Sequence, residues 1–275
     1  ALLKLLKTYI ESEESKKSEN SKKLFELKYK IAKYMPICLR RKMFSSVHKI
    51  FGGNFMGCIS GGAPLDAAVG EFFERIGVKV YQGYGLSEAS PDVSMNRKDH
   101  RNIKSVGPAL DSLETKIDEA TGELLIKGPS VMKGYYMQPE LTATVIDENG
   151  WLHSGDIAEK DEFGHIFITG RIKNMIVLTG GKKVFPEEVE SVLQQCPDFA
   201  EVCVLGVPKP FGEKTGHEEI TAVIVPQNGY VEKFEDKKLL ENEVIKEVKK
   251  LSLQLAQYKR PVKIVVRYEA LPKTA

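Results

Sequence analysis

What is scarce in this 275-residue sequence narrows the reading first. No run of about 18 apolar residues occurs, so hydropathy offers no membrane-spanning helix. Cysteine appears only as Cys38, Cys58, Cys196 and Cys203, with no C-x-x-C pair and no histidines beside them. That spacing argues against a zinc site or a disulfide framework and for single buried thiols in a reducing cytoplasm. The five histidines, His48, His100, His153, His165 and His217, form no pattern with Ser or Cys that would make a nucleophile and its base. His153 and His165 read as turn or strand residues. Net charge is only +2, with 42% apolar and 28% charged residues, which excludes collagen-like and wholly disordered chains. The opening ALLKLLKTYI interrupts its apolar stretch with lysines and has no cleavage-site pattern, so it does not read as a signal peptide. It starts with Ala rather than Met, as a piece of a longer protein would.

The charge that is present is unevenly spread. Residues 1–50 hold 13 Lys/Arg against 5 Asp/Glu, and the remaining 225 hold 27 against 33. A basic leading segment could meet nucleic acid or an anionic membrane surface. Aromatic residues are not interleaved with the lysines as a base-stacking platform requires, which argues against nucleic acid. The plain alternative, a solvated helix face, is preferred, and peripheral contact with the inner face of the membrane stays open.

The chain is long enough for two domains. Residues 1–50 read as helical and basic, with a polar, low-complexity stretch over 11–23 expected to be a mobile loop and Pro36 marking a start or break. FMGCIS, the helical pattern over 65–76 and VKVYQ make a strand, helix and strand, hence a parallel pair. From 105 to 170, short segments (LETKI, ELLIKG, HIFITG) between turn residues suggest an antiparallel region. The pattern restarts near 171–175. MIVLTGGKKV reads as strand, turn and strand, and Pro186-Glu187-Glu188 opens a helix. Strands over 201–207 and 219–225, a helix over 236–257 and a strand over 262–268 follow. The fold class is therefore α/β: residues 1–172 as part of a large domain with a parallel sheet and an antiparallel β region, and 173–275 as a small, mobile α+β domain.

Four constellations could carry chemistry. Ser60-Gly61-Gly62-Ala63-Pro64 follows a strand and lets a flat ligand approach the backbone, although many strand-to-helix turns are glycine-rich. Tyr81-Gln82-Gly83-Tyr84-Gly85-Leu86-Ser87-Glu88 lies at the carboxyl end of the next strand, where open α/β sheets bind ligands. There Tyr84 offers a stacking face, Ser87 a hydroxyl for a phosphate oxygen and Glu88 a hard carboxylate for Mg²⁺. A tight turn capped by Ser87 is the alternative. Asp156 of Gly150-Trp151-Leu152-His153-Ser154-Gly155-Asp156 could accept from two vicinal hydroxyls, or simply sit in a β-turn. Arg171 could bind ribose or phosphate, while Gly180-Gly181-Lys182-Lys183 could be a close backbone approach or a solvated hairpin tip.

In this order, GGAPL, YGLSE, GELLIKGPSVMKGYY, GWLHSGD, GRIKN and PEEVE resemble the successive core motifs of the adenylate-forming superfamily, over about residues 52–275. YQGYGLSEASP and the GGAPL context look most like long-chain fatty acyl-CoA synthetases. The resemblance implies an ATP-dependent, AMP-forming ligase that adenylates a fatty acid and passes the acyl group to coenzyme A. It implies that Gly62, Ala63 and Pro64 line the adenine, Tyr84 stacks on it and Gly85 borders the acyl carboxylate. Ser87 would touch the α-phosphate, Glu88 the Mg²⁺, and Asp156 with Arg171 the ribose. Lys173 matches the hinge, and Gly180 and Gly181 border the pantetheine path. Ser87 stands where Thr is commoner, and the hydroxyl survives. The family's Ser/Thr/Gly-rich phosphate loop is not within 1–275 and is expected upstream, with the remainder of the large domain. Leu271-Pro272-Lys273-Thr274-Ala275 resembles the start of the segment carrying the catalytic lysine, which is expected beyond Ala275, so these 275 residues alone are expected to be inactive. An amino-acid or aryl-acid adenylating enzyme and a non-catalytic nucleotide-binding module are the alternatives.

Overall fold

The computed structural model describes residues 2–16, 18–99, 101–179, 181–208 and 218–272. The chain divides into two units: Ala1–Ser154 with Glu159–Ile168, and Gly155–Ala158 with Thr169–Ala275.

In the first unit, helices α1 (Leu2–Ser15), α2 (Glu19–Ala32), α3 (Ile37–Met43) and α4 (Ser45–Ile50) precede β1 (Gly57–Ser60), α5 (Ala67–Arg75), β2 (Lys79–Gly85) and β3 (Asp92–Met95). The expected loop over 11–23 is overturned. α1 runs into it as far as Ser15 and α2 begins at Glu19. Polar composition misled here because Glu and Lys are good helix formers that pair one turn apart. Lys7 faces Glu11 at 3.8 Å and Lys16 faces Glu13 at 2.7 Å. Burial of Ile10 and Ala32 in the core then holds both helices in place. Pro36 occupies the N-cap position of α3, the start that its fixed φ suits.

α5 shows how this unit is built. Asp66 Oδ1 accepts from the Ala68 and Val69 amides at 2.8 and 3.3 Å, capping the helix. Val69, Phe72, Phe73 and Ile76 recur at helical spacing and are all buried with Val78, Val80, Phe44 and Val47. β1 and β2 pair in parallel, Ser60 opposite Gln82, and β3 adds antiparallel to β2. A second sheet has the order β4 (Glu114–Ile117), β5 (Glu123–Lys127), β6 (Leu152–Lys160), β7 (Ile166–Arg171), with β4 and β5 antiparallel. Leu124, Leu125 and Ile126 are all buried, so β5 is covered on both faces rather than alternating. α6 (Pro139–Val145) lies between β5 and β6 in the chain.

The second unit continues through the hairpin β8 (Ile176–Val177) and β9 (Lys183–Val184) into α7 (Pro186–Leu193), whose first turn carries Pro186, Glu187 and Glu188. β10 (Phe199–Pro208) pairs antiparallel with β11 (Glu218–Pro226), and β12 (Lys263–Val266) adds parallel to β11. Between β11 and β12 come α8 (Asn228–Val231) and α9 (Lys237–Ser252). Asp236 caps α9 by accepting from Lys238 N at 2.8 Å. Leu240, Val244 and Val248 of α9 and Val189 and Leu193 of α7 pack on Val202, Val204, Ile220, Ala222 and Ile224.

All four cysteines are free, but only Cys196 is buried. Cys38 is exposed, because it lies on a short surface helix, so the expectation of uniformly buried thiols is corrected. No helix among the described residues is long and apolar enough to cross a membrane.

Candidate functional site

The parallel register of β1 and β2 decides where the first unit's candidates emerge. With Ser60 opposite Gln82, the segments 61–64 and 83–88 leave the same end of the sheet. Gly61, Gly62, Ala63 and Pro64 are all exposed there, and Gly62 takes φ +79°, a conformation open to glycine. Tyr84 and Gly85 are the last residues of β2. A Cβ on Gly85 would stand 1.8 Å from the Pro91 carbonyl oxygen, so no side chain fits at that point. Leu86 N donates to the same Pro91 carbonyl at 2.8 Å, and Ser90 adopts a left-handed φ of 62° to close the turn.

Ser87 and Glu88 open the short 3-10 turn Ser87–Ala89. Ser87 is exposed and does not cap the turn, which removes the alternative role for its hydroxyl. Glu88 is half-buried and braced twice by a segment far along the chain. Its carbonyl accepts from Met132 N at 2.8 Å, and its Oε1 accepts from the Tyr135 hydroxyl at 2.9 Å. That bond to Glu88 is the main reason the Tyr135 hydroxyl titrates above its ordinary value. Tyr135 is itself placed by Thr142, whose Oγ1 accepts the Tyr135 amide at 2.9 Å. Sequence reasoning did not single out Tyr135. Its only signal was its place in GELLIKGPSVMKGYY, 47 residues from Glu88.

No group of three or more His, Cys, Asp and Glu able to hold a metal occurs among the described residues. A single half-buried carboxylate nonetheless fits Mg²⁺, which takes one or two protein carboxylates and completes its shell with water and substrate phosphates.

In the second unit Asp156 is only 4% exposed, inside β6 and not in a β-turn. A buried carboxylate needs partners, and Arg171 Nε donates to its Oδ1 at 2.6 Å. The Arg171 side chain is itself largely exposed, so the pair sits at a surface. Gly155 beside it takes φ +73° within the strand. Lys173 lies exposed in the short turn Ile172–Asn174. Its neighbour Asn174 donates to Glu187 Oε1 at 2.7 Å. Gly181 takes φ +76° in the β8–β9 turn. Gly180 lies outside the described residues, as do His100, His217 and Lys273–Ala275. His153 Nδ1 meets Glu123 Oε2 and His165 Nδ1 meets Asp161 Oδ2, each at 2.9 Å, so both are paired inside the β region as read.

Comparison with known proteins agrees with this arrangement of motifs. The family model for AMP-binding enzymes matches residues 5–136, and that for the AMP-binding enzyme C-terminal domain matches 188–275. A long-chain-fatty-acid–CoA ligase, FadD15 of Mycobacterium bovis, is 37% identical over 171 residues, covering 62% of this chain and 28% of the relative. A feruloyl-CoA synthase of Amycolatopsis is 36% identical over 182 residues, covering 62% of this chain and 36% of the relative. The chain thus spans about a third of the length of these relatives. Among solved structures, ATP-bound MatB from Rhodopseudomonas palustris superposes with a TM-score of 0.65 at 33% identity, covering 78% of this chain and 42% of that one. With both models matched in order and the two acidic motifs held as described, the chain belongs to the AMP-binding enzyme family.

Proposed function

We propose that this chain supplies adenine-, phosphate- and ribose-holding surfaces to an AMP-forming ligase that joins a long-chain fatty acid to coenzyme A. The observation that carries the reading is Glu88, an anionic oxygen braced by Tyr135 next to the exposed Ser87 hydroxyl, at the end of a parallel strand pair. In this reading residues 62–64 border the adenine, Tyr84 stacks on it, and Gly85 leaves room for the acyl carboxylate. Ser87 donates to an α-phosphate oxygen as the carboxylate attacks and pyrophosphate leaves. Glu88 holds Mg²⁺, which supplies charge neutralisation at the phosphates when bound. Asp156 accepts from the ribose hydroxyls while Arg171, donating to its Oδ1, keeps it oriented. Lys173 is the hinge of a mobile C-terminal domain, and the Gly180-Gly181 turn borders the pantetheine of CoA. The free cysteines support a reducing, cytoplasmic setting.

The fatty-acid assignment draws on the ligase relative. The feruloyl-CoA synthase, at nearly equal identity, favours a second reading in which the acid is an aryl acid. ATP–pyrophosphate exchange by the full-length parent protein, with its phosphate loop and catalytic lysine, separates them. Exchange driven by palmitate supports the first reading, and exchange driven by ferulate alone supports the second. Exchange with amino acids alone would assign another adenylating enzyme, and exchange with no acid would leave a nucleotide-binding module.

A further inference from the structure

The turn that carries Lys173 is held by one short stretch of chain from both of its ends. Gly170 precedes the turn and Asn174 closes it. A Cβ on Gly170 would stand 2.7, 2.8 and 2.9 Å from Cδ1, Cγ and Cβ of Phe185, so the Phe185 side chain rests directly on the Gly170 backbone. Asn174 Nδ2 donates to Glu187 Oε1 at 2.7 Å. Phe185 and Glu187 flank Pro186 at the start of α7. The β8–β9 hairpin brings them there: with Ile176 paired to Val184, the chain returns to the turn it has just left. All of these residues belong to the second unit.

The two contacts stand differently to Lys173. Phe185 reaches back to Gly170, on the upstream side of Lys173, whereas Glu187 holds Asn174, on the downstream side. Rotation of the backbone at Lys173 therefore parts Phe185 from Gly170 but moves Asn174 and Glu187 together. Lys173 itself is exposed, and the Met175 amide closes its turn by donating to the Ile172 carbonyl at 3.2 Å. A hinge position absorbs large φ/ψ changes, and the contacts around it select between its arrangements. Pro186 makes the clamp stiff on the α7 side. The residue before a proline is held extended, and Phe185 has φ −93° and ψ 120°. The clamp is also incompletely satisfied. Glu187 Oε2 is buried with no hydrogen-bond partner among the described residues. An unpaired buried acceptor carries a cost, so this contact can be exchanged rather than kept permanently.

We propose that Phe185 and Glu187 are positioning residues that hold the Lys173 turn in this conformation and so set how readily the C-terminal domain turns between the two half-reactions. The effect on turnover rests on the ligase and hinge reading above, whereas the clamp itself is read without turnover. The test uses the full-length parent protein. Brief trypsin digestion of the native protein reads opening of the turn as cleavage between Lys173 and Asn174. Phe185→Ala and Glu187→Ala should each speed that cleavage about threefold to tenfold. Glu187→Gln keeps an acceptor for Asn174 and should be cleaved as slowly as the wild type. Asn174 is exposed, so Asn174→Ala leaves the fold intact. It should match Glu187→Ala, and the double variant should add little to either. The effect on turnover is read as the ratio of two rates on one preparation: acyl-adenylate formation from ATP and the acid, and thioester formation from supplied acyl-adenylate and CoA. That ratio should shift about threefold or more in Phe185→Ala and Glu187→Ala, and stay as in the wild type in Glu187→Gln. Cleavage of both alanine variants at the wild-type rate overturns the clamp. Faster cleavage with equal loss in both half-reactions overturns the positioning role, since a merely damaged protein gives that result. A parent protein that adenylates no acid removes the ligase reading and with it the effect on turnover, and the cleavage comparison still decides the clamp.

Discussion

Glu88 and Asp156 each end a glycine-bearing motif, but the fold holds them differently. Glu88 sits on a turn, half-buried, and is braced by a neutral phenol from a remote segment. Asp156 sits inside a strand, almost wholly buried, and faces a guanidinium 15 residues away. A neutral donor leaves the Glu88 charge available to a cation. An ion pair spends much of the Asp156 charge within the protein and leaves it suited to accept hydrogen bonds from neutral hydroxyls. The same residue class thus meets a neutral donor in one place and a cationic one in the other.

The largest effect is expected where the backbone itself makes the first of these sites. Gly85→Ala drives a methyl group into the Pro91 carbonyl. It should cost about 3 kcal/mol or more, seen as a collapse of the melting temperature or of soluble yield. A normally stable Gly85→Ala protein would mean that the β2–β3 junction yields.

Asp156→Ala comes next. Two hydrogen bonds to a charged acceptor disappear, each worth roughly 1.5–3 kcal/mol, so nucleotide affinity should fall from about tenfold to several hundredfold. Titration with AMP in the absence of Mg²⁺ isolates this effect from Glu88. Unchanged affinity removes Asp156 from the site.

Tyr135→Phe separates the two acids further. Loss of one hydrogen bond should weaken the Mg²⁺ dependence of ATP binding by about two- to tenfold, while AMP binding without Mg²⁺ stays as in the wild type. Equal loss in both titrations would make Tyr135 a prop for the whole turn.

The smallest effect tests a carboxylate outside both sites. Burial raises the Glu190 pKa, against the Val204 amide that donates to its Oε1 at 2.8 Å. The folded protein therefore keeps this proton to higher pH than the unfolded chain, whose glutamate ionises near about 4.3. Above that value ionisation costs stability. Glu190→Gln keeps an acceptor for Val204 and should raise the melting temperature slightly at neutral pH, with no gain in acid. An equal gain at both pH values would trace the effect to packing.

How far the sequence could be read depended on whether a signal was local. α5 was legible because Asp66 caps it and Val69, Phe72, Phe73 and Ile76 repeat at one helical period. α7, α9 and the β8–β9 hairpin were legible for similar reasons of capping, proline placement and glycine. β6 was not, because His153-Ser154-Gly155-Asp156 lacks a strand's apolar alternation and is held by partners elsewhere, such as the Leu124 carbonyl that accepts from Ser154 Oγ at 2.7 Å. Residues 11–23 were misread because the anchors that fix those helices, Ile10 and Ala32, lie outside the stretch.

The order of motifs, the identity of the acids and hydroxyls, and the parallel strand pair were determined by the sequence alone, since each rests on residues within one turn or one short crossover. Only the tertiary structure decided that Tyr135 braces Glu88, that Arg171 faces Asp156, and that α1 and α2 keep a second apolar face in the open. These are contacts between segments 15 or more residues apart, or exposures on opposite sides of one helix, and chain closure and burial set them rather than local preference.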